Sequence, residues 1–311
     1  MKSRVCFIVP YFGRFPSTFE MWLECCRNNP EFNWLILTDD ETDYHYPTNV
    51  RVEYLTLKDL KNMFERRLNT GIELPKPYKL CDFRALYGDL LSEYLGGFTH
   101  WGYFDVDLLF GKLSHFLKDE LLSDYDKISV LGHMSILKNN KDVNQCYRKC
   151  NIDQIIKDPR NKIFDEVRHP LNINRLLIEN GFKVYEDVIN ADIDAEHFNF
   201  YLYKYEGKRH CVRQPFVPTV FEYKDGMLNK VSVINDSIIR DEIMYVHFQK
   251  REIEVNTENK SNYYLVPNRI EECSNVSVKY VLDHSRDRLS YYLFHRVDRI
   301  KRAIKIRVYD K

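Results

Sequence analysis

Asp105 and Asp107 stand one residue apart behind the apolar run Trp101-Gly102-Tyr103-Phe104. In a continuous strand residues i and i+2 face the same way, so at a strand exit both carboxylates can reach one cation. Their hard oxygens suit Mg²⁺ or Mn²⁺. Such an ion on a nucleoside diphosphate neutralises the charge that builds up as this group departs. Asp105 and Asp107 are therefore the first metal-ligand candidates and the first catalytic ones. His247 is the third ligand candidate, in Tyr245-Val246-His247-Phe248-Gln249-Lys250-Arg251. Alternation puts Tyr245, His247 and Gln249 on one face and leaves Lys250 to turn at the end, where an ammonium can meet a phosphate. Solvated acids and a structural strand histidine are the competing readings.

Positioning these groups requires a particular run of elements. Residues 4–9 read as a buried strand ended by Pro10, 34–37 as a second and 50–55 as a third. Ser17 or Thr18 can cap a helix to about residue 28, and Thr56 with Asp59 one through 68. Strand and helix in alternation imply parallel βαβ units and a doubly wound sheet. Ligands bind beyond the carboxyl ends of such strands, which places Pro10, Tyr11, Thr38 and Asp39 near a pocket. Residues 79–95 have the apolar spacing of a helix (Phe83, Leu86, Tyr87, Leu90, Leu91, Tyr94) stopped by Gly96-Gly97, with Lys79, Asp82 and Arg84 in its first turns. A strand over 99–104 then delivers the aspartates. A helix is expected over 113–122, a buried strand over 127–131, a helix over 170–180 with Gly181 as its stop, and a strand over 244–248. A hairpin is expected from 219–223, Lys224-Asp225-Gly226 and 228–233. One α/β domain over 1–270 and a helical tail over 271–311 follow.

Lys79-x-x-Asp82-x-Arg84, the helix after it, Gly96-Gly97 and Asp105-x-Asp107 resemble the core of GT-A-fold glycosyltransferases. The nearest are the glycosyltransferase family 32-like enzymes and related bacterial capsule and lipopolysaccharide sugar transferases. The resemblance runs over residues 1–135 in order of elements and is densest over 79–107. It departs in one detail: the family 32 pattern usually has Ser before the helix Asp and Arg three residues after it, where this chain has Cys81 and Arg84. It implies a GT-A-type, mostly parallel sheet flanked by helices. It also implies a nucleotide-sugar donor, with a UDP-sugar as the expected one, and a Mn²⁺ or Mg²⁺ cofactor. Donor contacts carried over are Lys79, Asp82, Arg84, Asp105 and Lys250, with Pro10, Tyr11, Thr38 and Asp39 at the base. An ion pair between Asp82 and Arg84 on the helix surface is the alternative for those two. Gly132-His133 sits where acceptor-side groups often lie in this fold. Glu166, beside Asp165, could offer a carboxylate to an acceptor hydroxyl, as general base if the enzyme inverts or as stabiliser of an oxocarbenium-like state if it retains. The family resemblance favours retention.

At 311 residues, with 44% hydrophobic and 30% charged residues, the composition is that of a globular chain. Net charge is zero, yet the stretch from Arg286 to Arg307 is strongly basic, opposed only by Asp287 and Asp298. General nucleic-acid binding is not expected from such a balance. In the tail Leu293, Val297, Ile300 and Ile304 follow helical steps, flanked by Arg296, Arg299, Lys301, Arg302 and Lys305. This is the pattern of a helix lying on an anionic membrane surface, the favoured reading, with a helix packed on protein as the alternative. The eight cysteines form no CxxC pair, consistent with reduced thiols. The apolar stretch 5–9 is too short for a signal peptide, and no run is long enough to span a bilayer. The expected setting is cytoplasmic, peripheral on the inner face of the membrane, with a lipid-linked glycan as acceptor. A metal-dependent phosphatase or nucleotidyltransferase, or a non-catalytic sugar-binding partner protein, are the rival readings.

Overall fold

Val5–Tyr11 forms the first strand, β1, and the sheet is built outward from it. A computed structural model describes residues 3–166, 170–206, 211–249, 251–272, 275–286 and 291. The chain divides into two units, residues 1–106 with 112–189 and residues 107–111 with 190–311, where the sequence suggests one domain over 1–270.

In the first unit, helix α1 (Phe19–Arg27) follows β1, then β2 (Asn33–Thr38), β3 (Val50–Tyr54) and helix α2 (Leu57–Leu68). The second helix carries the expected capping box, with Thr56 and Asp59 each bonding the other's backbone N–H. The chain then returns to β4 (His100–Phe104) on the other side of β1. Strand β5 (Leu108–Phe110) counts with the second unit, and β6 (Lys127–Ile128), β7 (Met134–Lys138) and β8 (Val184–Tyr185) complete the first sheet. Its order is β3-β2-β1-β4-β7-β6-β8, parallel except where β7 runs antiparallel between β4 and β6. Because β2 and β4 leave opposite sides of β1, the carboxyl ends of β1 and β4 form the switch point at which open α/β sheets leave a crevice. Tyr11 and Asp105 lie at those ends.

Both faces of this sheet are packed, as a doubly wound fold requires. Cys6, Ile8, Leu35, Leu37, Trp101 and Tyr103 face the core that holds Leu60 and Phe64 of α2. On the opposite face Phe7 and Phe104 meet edge to face at 5.1 Å. There Trp22 of α1 lies against Phe104 and Trp34 at 6.2 Å, and its indole N–H donates to the Asp105 carbonyl at 3.2 Å.

Three expected elements differ. Residues 79–95 are not one helix but 3₁₀ turns at Pro77–Asp82, Arg84–Leu86 and Ser92–Tyr94 around a single α turn, Tyr87–Leu90. Apolar residues at i and i+3 satisfy a 3₁₀ turn as well as an α-helix, and this segment is buried on nearly all sides rather than on one stripe. Residues 113–122 split into Leu113–His115 and Asp119–Asp124, with Lys118 extended between them. The strand expected to reach 131 stops at Ile128, because Ser129 takes φ +70° and turns the chain toward β7. By contrast helix Ile173–Glu179 ends near Gly181, whose φ of +81° suits glycine.

The second unit holds two sheets. One has the order β11-β10-β9-β15-β5, from Asn190–Ile193 (β9), Leu202–Tyr205 (β10), Cys211–Arg213 (β11), Tyr245–His247 (β15) and β5. The other contains the hairpin Thr219–Lys224 (β12) and Met227–Ile234 (β13). Its two-residue loop, Asp225-Gly226, has φ of 51° and 82°, the left-handed pair of a type I′ turn. Strands β14 (Ser237–Glu242), β16 (Glu254–Asn256), β17 (Asn262–Val266) and β18 (Arg269–Glu271) complete this six-stranded sheet. Helix Val278–His284 packs Val281 into the core with Val220, Val231 and Val266. The basic amphipathic stretch of 289–305 lies outside the described residues except for Tyr291.

Candidate functional site

In the first unit the charged groups gather where β4 ends. The Asp105 N–H donates to the His133 carbonyl at 3.0 Å, carrying the pairing of β4 with β7 one residue past the strand. Arg84 binds the Asp105 carboxylate through Nη2, and its Nη1 donates to Asp165 Oδ2 at 2.9 Å and to the Gly132 carbonyl at 2.6 Å. Gly132 has no side chain because none would fit: a Cβ there would stand 2.8 Å from Glu166 Cγ and 3.0 Å from Asp165 Oδ2. The fold thus brings Arg84, Asp105, Gly132-His133 and Asp165-Glu166 together from distant parts of the sequence. Burial pushes the Asp165 carboxyl up to about 7, Arg84 pulling against it and Glu166 adding to it. Its Oδ1 is buried without a hydrogen-bond partner among the described residues.

Lys79 and Asp82 have a different place from the expected one. Both are fully buried and paired at 2.7 Å. Lys79 Nζ also donates to the carbonyls of Ile155 and Arg160 at 2.8 Å each. Asp82 accepts from the backbone of Lys162 at 2.8 Å and Phe164 at 3.0 Å. This buried pair clamps the 155–164 segment and, through it, the approach to Asp165. It is scaffold, and neither residue is open to a donor. Nor does Asp82 pair with Arg84. Arg84 spends three donations on protein acceptors, so its first role is to hold Asp105 and Asp165 in place.

At the ends of β1 and β2, Tyr11 is in register with Thr38. Thr38 is buried and its Oγ1 accepts from the Asp40 N–H at 3.1 Å. Asp39 Oδ1 accepts from the Gly13 N–H at 2.7 Å, and Tyr11 stacks on Phe15 with ring centroids 4.8 Å apart. Pro10, Tyr11, Thr38 and Asp39 therefore share one corner of the first unit, tied together by the loop 12–15.

In the second unit Asp107, Asp192 and His247 form a compact set. His247 Nε2 is 3.5 Å from Asp107 Oδ2, and His247 Nδ1 is 2.7 Å from Asp192 Oδ1. Gln249 Nε2 also donates to Asp192 Oδ1, at 3.2 Å. Strand pairing creates this arrangement. β15 lies between β9 and β5, with His247 opposite Asp192 on one side and Leu108 on the other, and the Phe248 N–H donates to the Asp107 carbonyl at 3.2 Å. Burial works against a charged ring, yet Asp107 and Asp192 hold the imidazolium well above the usual histidine range. Without a cation a ring between two carboxylates keeps its proton; a divalent ion beside Asp107 would take that proton's place. Two ligands of one octahedral Mg²⁺ stand about 3 Å apart, so Asp107 Oδ2 and His247 Nε2 fit such an ion with little movement. Both belong to groups of side chains able to hold a metal. Lys250 lies outside the described residues.

The profile of a family described as "Family of unknown function (DUF6625)" matches residues 7–274. The chain belongs to that family. No curated protein matches it. Among solved structures, this DUF6625 chain is similar to an active-site mutant of LgtC at 13% identity and TM-score 0.37, over 61% of this chain and 75% of that one. It is similar to the same extent, at 12% identity, to the galactosyltransferase LgtC in complex with donor and acceptor sugar analogues.

Two partners were missed in the sequence. Asp165 adjoins Glu166 but gave no sign of pairing with Arg84, a contact made across 81 residues. Asp192 lies in Asn190-Ala191-Asp192-Ile193-Asp194, two carboxylates one residue apart at the end of β9, and that spacing is a legible signal.

Proposed function

We propose that this protein is a metal-dependent glycosyltransferase that moves a sugar from a nucleotide-sugar donor, a UDP-sugar, to a glycan acceptor. The observation that carries the reading is the placing of His247 Nε2 3.5 Å from Asp107 Oδ2, with Val106 alone separating Asp107 from Asp105. Carboxylates suit Mn²⁺ and Mg²⁺, and an imidazole beside them is an acceptable ligand for Mn²⁺. Asp107 and His247 would hold the ion, whose chemistry is to neutralise the leaving diphosphate; the spacing in the sequence adds Asp105 as a further ligand, and Arg84 binds its carboxylate. Tyr11, Thr38, Asp39 and Pro10 offer the corner for the base, and Lys250 a cation for the phosphates.

Retention is the outcome proposed. The bond from the anomeric carbon to the diphosphate oxygen breaks, the acceptor oxygen bonds to that carbon on the same face, and its proton passes to the departing phosphate. The acceptor side belongs to His133 and Glu166, which lie around Gly132 with Asp165. A carboxylate there stabilises the oxocarbenium-like state. The acceptor proposed is a lipid-linked bacterial surface glycan, met at the inner face of the cytoplasmic membrane through the basic stretch 289–305. No helix among the described residues is long and apolar enough to cross a membrane.

Thermal-shift screening of nucleotide sugars with and without Mn²⁺ tests the reading. A ligand at 100 times its dissociation constant adds about 2.7 kcal/mol, so the matching donor raises the melting temperature only with the metal. Asp107→Asn abolishes that rise and donor hydrolysis while leaving the fold intact. Turnover by Asp107→Asn at the wild-type rate, or no response to any nucleotide sugar with Mn²⁺ present, would remove the proposal.

A further inference from the structure

His247 is held from both ring nitrogens, and its two partners do different things. On the Nε2 side Asp107 Oδ2 is 3.5 Å away, too far for a good hydrogen bond and about right for two ligands of one ion. On the Nδ1 side Asp192 Oδ1 is 2.7 Å away, the length of a strong charge-assisted bond. This asymmetry is built into the sheet. Strands β9 and β15 are parallel neighbours with Asp192 directly across from His247, so the two side chains leave the same face. The side chains of Asp192 and His247 are only 12% and 13% exposed, which keeps water from competing for their bond.

An imidazole that ligates through Nε2 must carry its remaining proton on Nδ1, and that N–H needs an acceptor. A carboxylate meets the need better than a carbonyl, because its charge also raises the basicity of the ring. Asp192 Oδ1 is further engaged by the Gln249 amide, which fixes the carboxylate against rotation and directs it at Nδ1. We propose that Asp192 is a positioning residue: it holds His247 as the Nδ1–H form, aims Nε2 at the cation site beside Asp107, and acts on the metal only through the histidine. The proposal rests on the reading of Asp107 and His247 as metal ligands.

The test uses the full chain and Mn²⁺ alone, with binding measured by calorimetry and by the EPR signal of the free ion. Asp192→Ala lowers Mn²⁺ affinity about 10- to 100-fold, the range for losing such an outer partner. Asp192→Asn, which keeps an acceptor oxygen but no charge, loses less. Adding Asp192→Ala to His247→Ala costs no further affinity, since the histidine is the only route of action. A readout independent of metal is the His247 Nδ1–H proton, far downfield in NMR spectra of the metal-free protein and missing in Asp192→Ala. Full Mn²⁺ affinity in a folded Asp192→Ala protein, additive losses in the double variant, or absence of the downfield proton in the wild type each overturn the positioning role. A wild type that takes up no Mn²⁺ while keeping that proton removes the metal reading itself, and the proposal with it.

Discussion

Gly88→Ala should be among the most damaging single-methyl changes in the first unit. The added Cβ would stand 2.5 Å from Asn144 Oδ1 and closer still to Nε1 and Cε2 of Trp101. The Trp101 indole donates to Asn144 Oδ1 at 2.7 Å, and Asn144 Nδ2 donates to the Gly88 carbonyl at 3.1 Å and to Asn139 Oδ1 at 2.9 Å. The methyl therefore lands on the hydrogen bonds centred on Asn144, and Trp101 is fully buried in β4. Overpacking of this kind costs about 1–3 kcal/mol, and a buried N–H stripped of its acceptor about 1–3 kcal/mol more. The better helix propensity of alanine returns at most about 1 kcal/mol. The net expectation is a loss of about 1–6 kcal/mol, a large part of the roughly 5–15 kcal/mol typical of a folded protein. Urea unfolding followed by far-UV circular dichroism measures it as a lower midpoint at unchanged slope. Gly96→Ala is the control, because a Cβ there meets nothing within 4 Å and the change should stay within about 0.5 kcal/mol. Equal midpoints for Gly88→Ala and the wild type, or equal losses in both variants, would refute the packing argument.

Arg84→Met leaves Asp105 and Asp165 without their shared cation and should destabilise by about 3–5 kcal/mol, the range for breaking a buried pair from one side; chemical denaturation at pH 7 measures this, and a loss below 1 kcal/mol contradicts the assigned contacts. Lys127 is fully buried, its ammonium bonded to Ser129 and Ser135, and burial pulls its pKa down to about 7. Between pH 7 and the ordinary lysine value near 10.4 the unfolded chain holds a proton that the folded one has released, so raising pH favours folding by up to about 1.4 kcal/mol per unit. Lys127→Met should remove that rise, seen by comparing the two proteins' denaturation midpoints from pH 7 to pH 10; parallel curves would refute it. Gly226→Ala forces a side chain onto φ +82° in the type I′ turn and should lower the melting temperature of the protein. Asp225→Gly, at the left-handed position before it, should be far milder, and the reverse order of the two would contradict the turn geometry.

Local chemistry decides the local patterns. The Thr56–Asp59 capping box, the Asp225-Gly226 turn and the strands 34–37 and 50–55 each depend on residues close in sequence, and each stands where its own residues put it. The α/β class and the parallel order of the first strands followed from the same alternation. Residues 79–95 carry helical spacing without forming one helix, because spacing reports which residues are apolar and says nothing of what surrounds them. Here Gly88 presses on Trp101, and Lys79 and Asp82 bond backbone more than 70 residues away, so tertiary contacts set the winding. Lys79 and Asp82 moved from expected donor contacts to scaffold for that reason.

The sequence by itself placed Asp105 and Asp107 at one strand exit, a single residue apart, and named His247 as a candidate beside them. Only the tertiary structure decided what those groups touch: Arg84 on Asp105, Asp165 beyond it, Asp192 behind His247. Those pairings join segments tens of residues apart, and their geometry comes from strand register and burial, which a linear spacing does not contain.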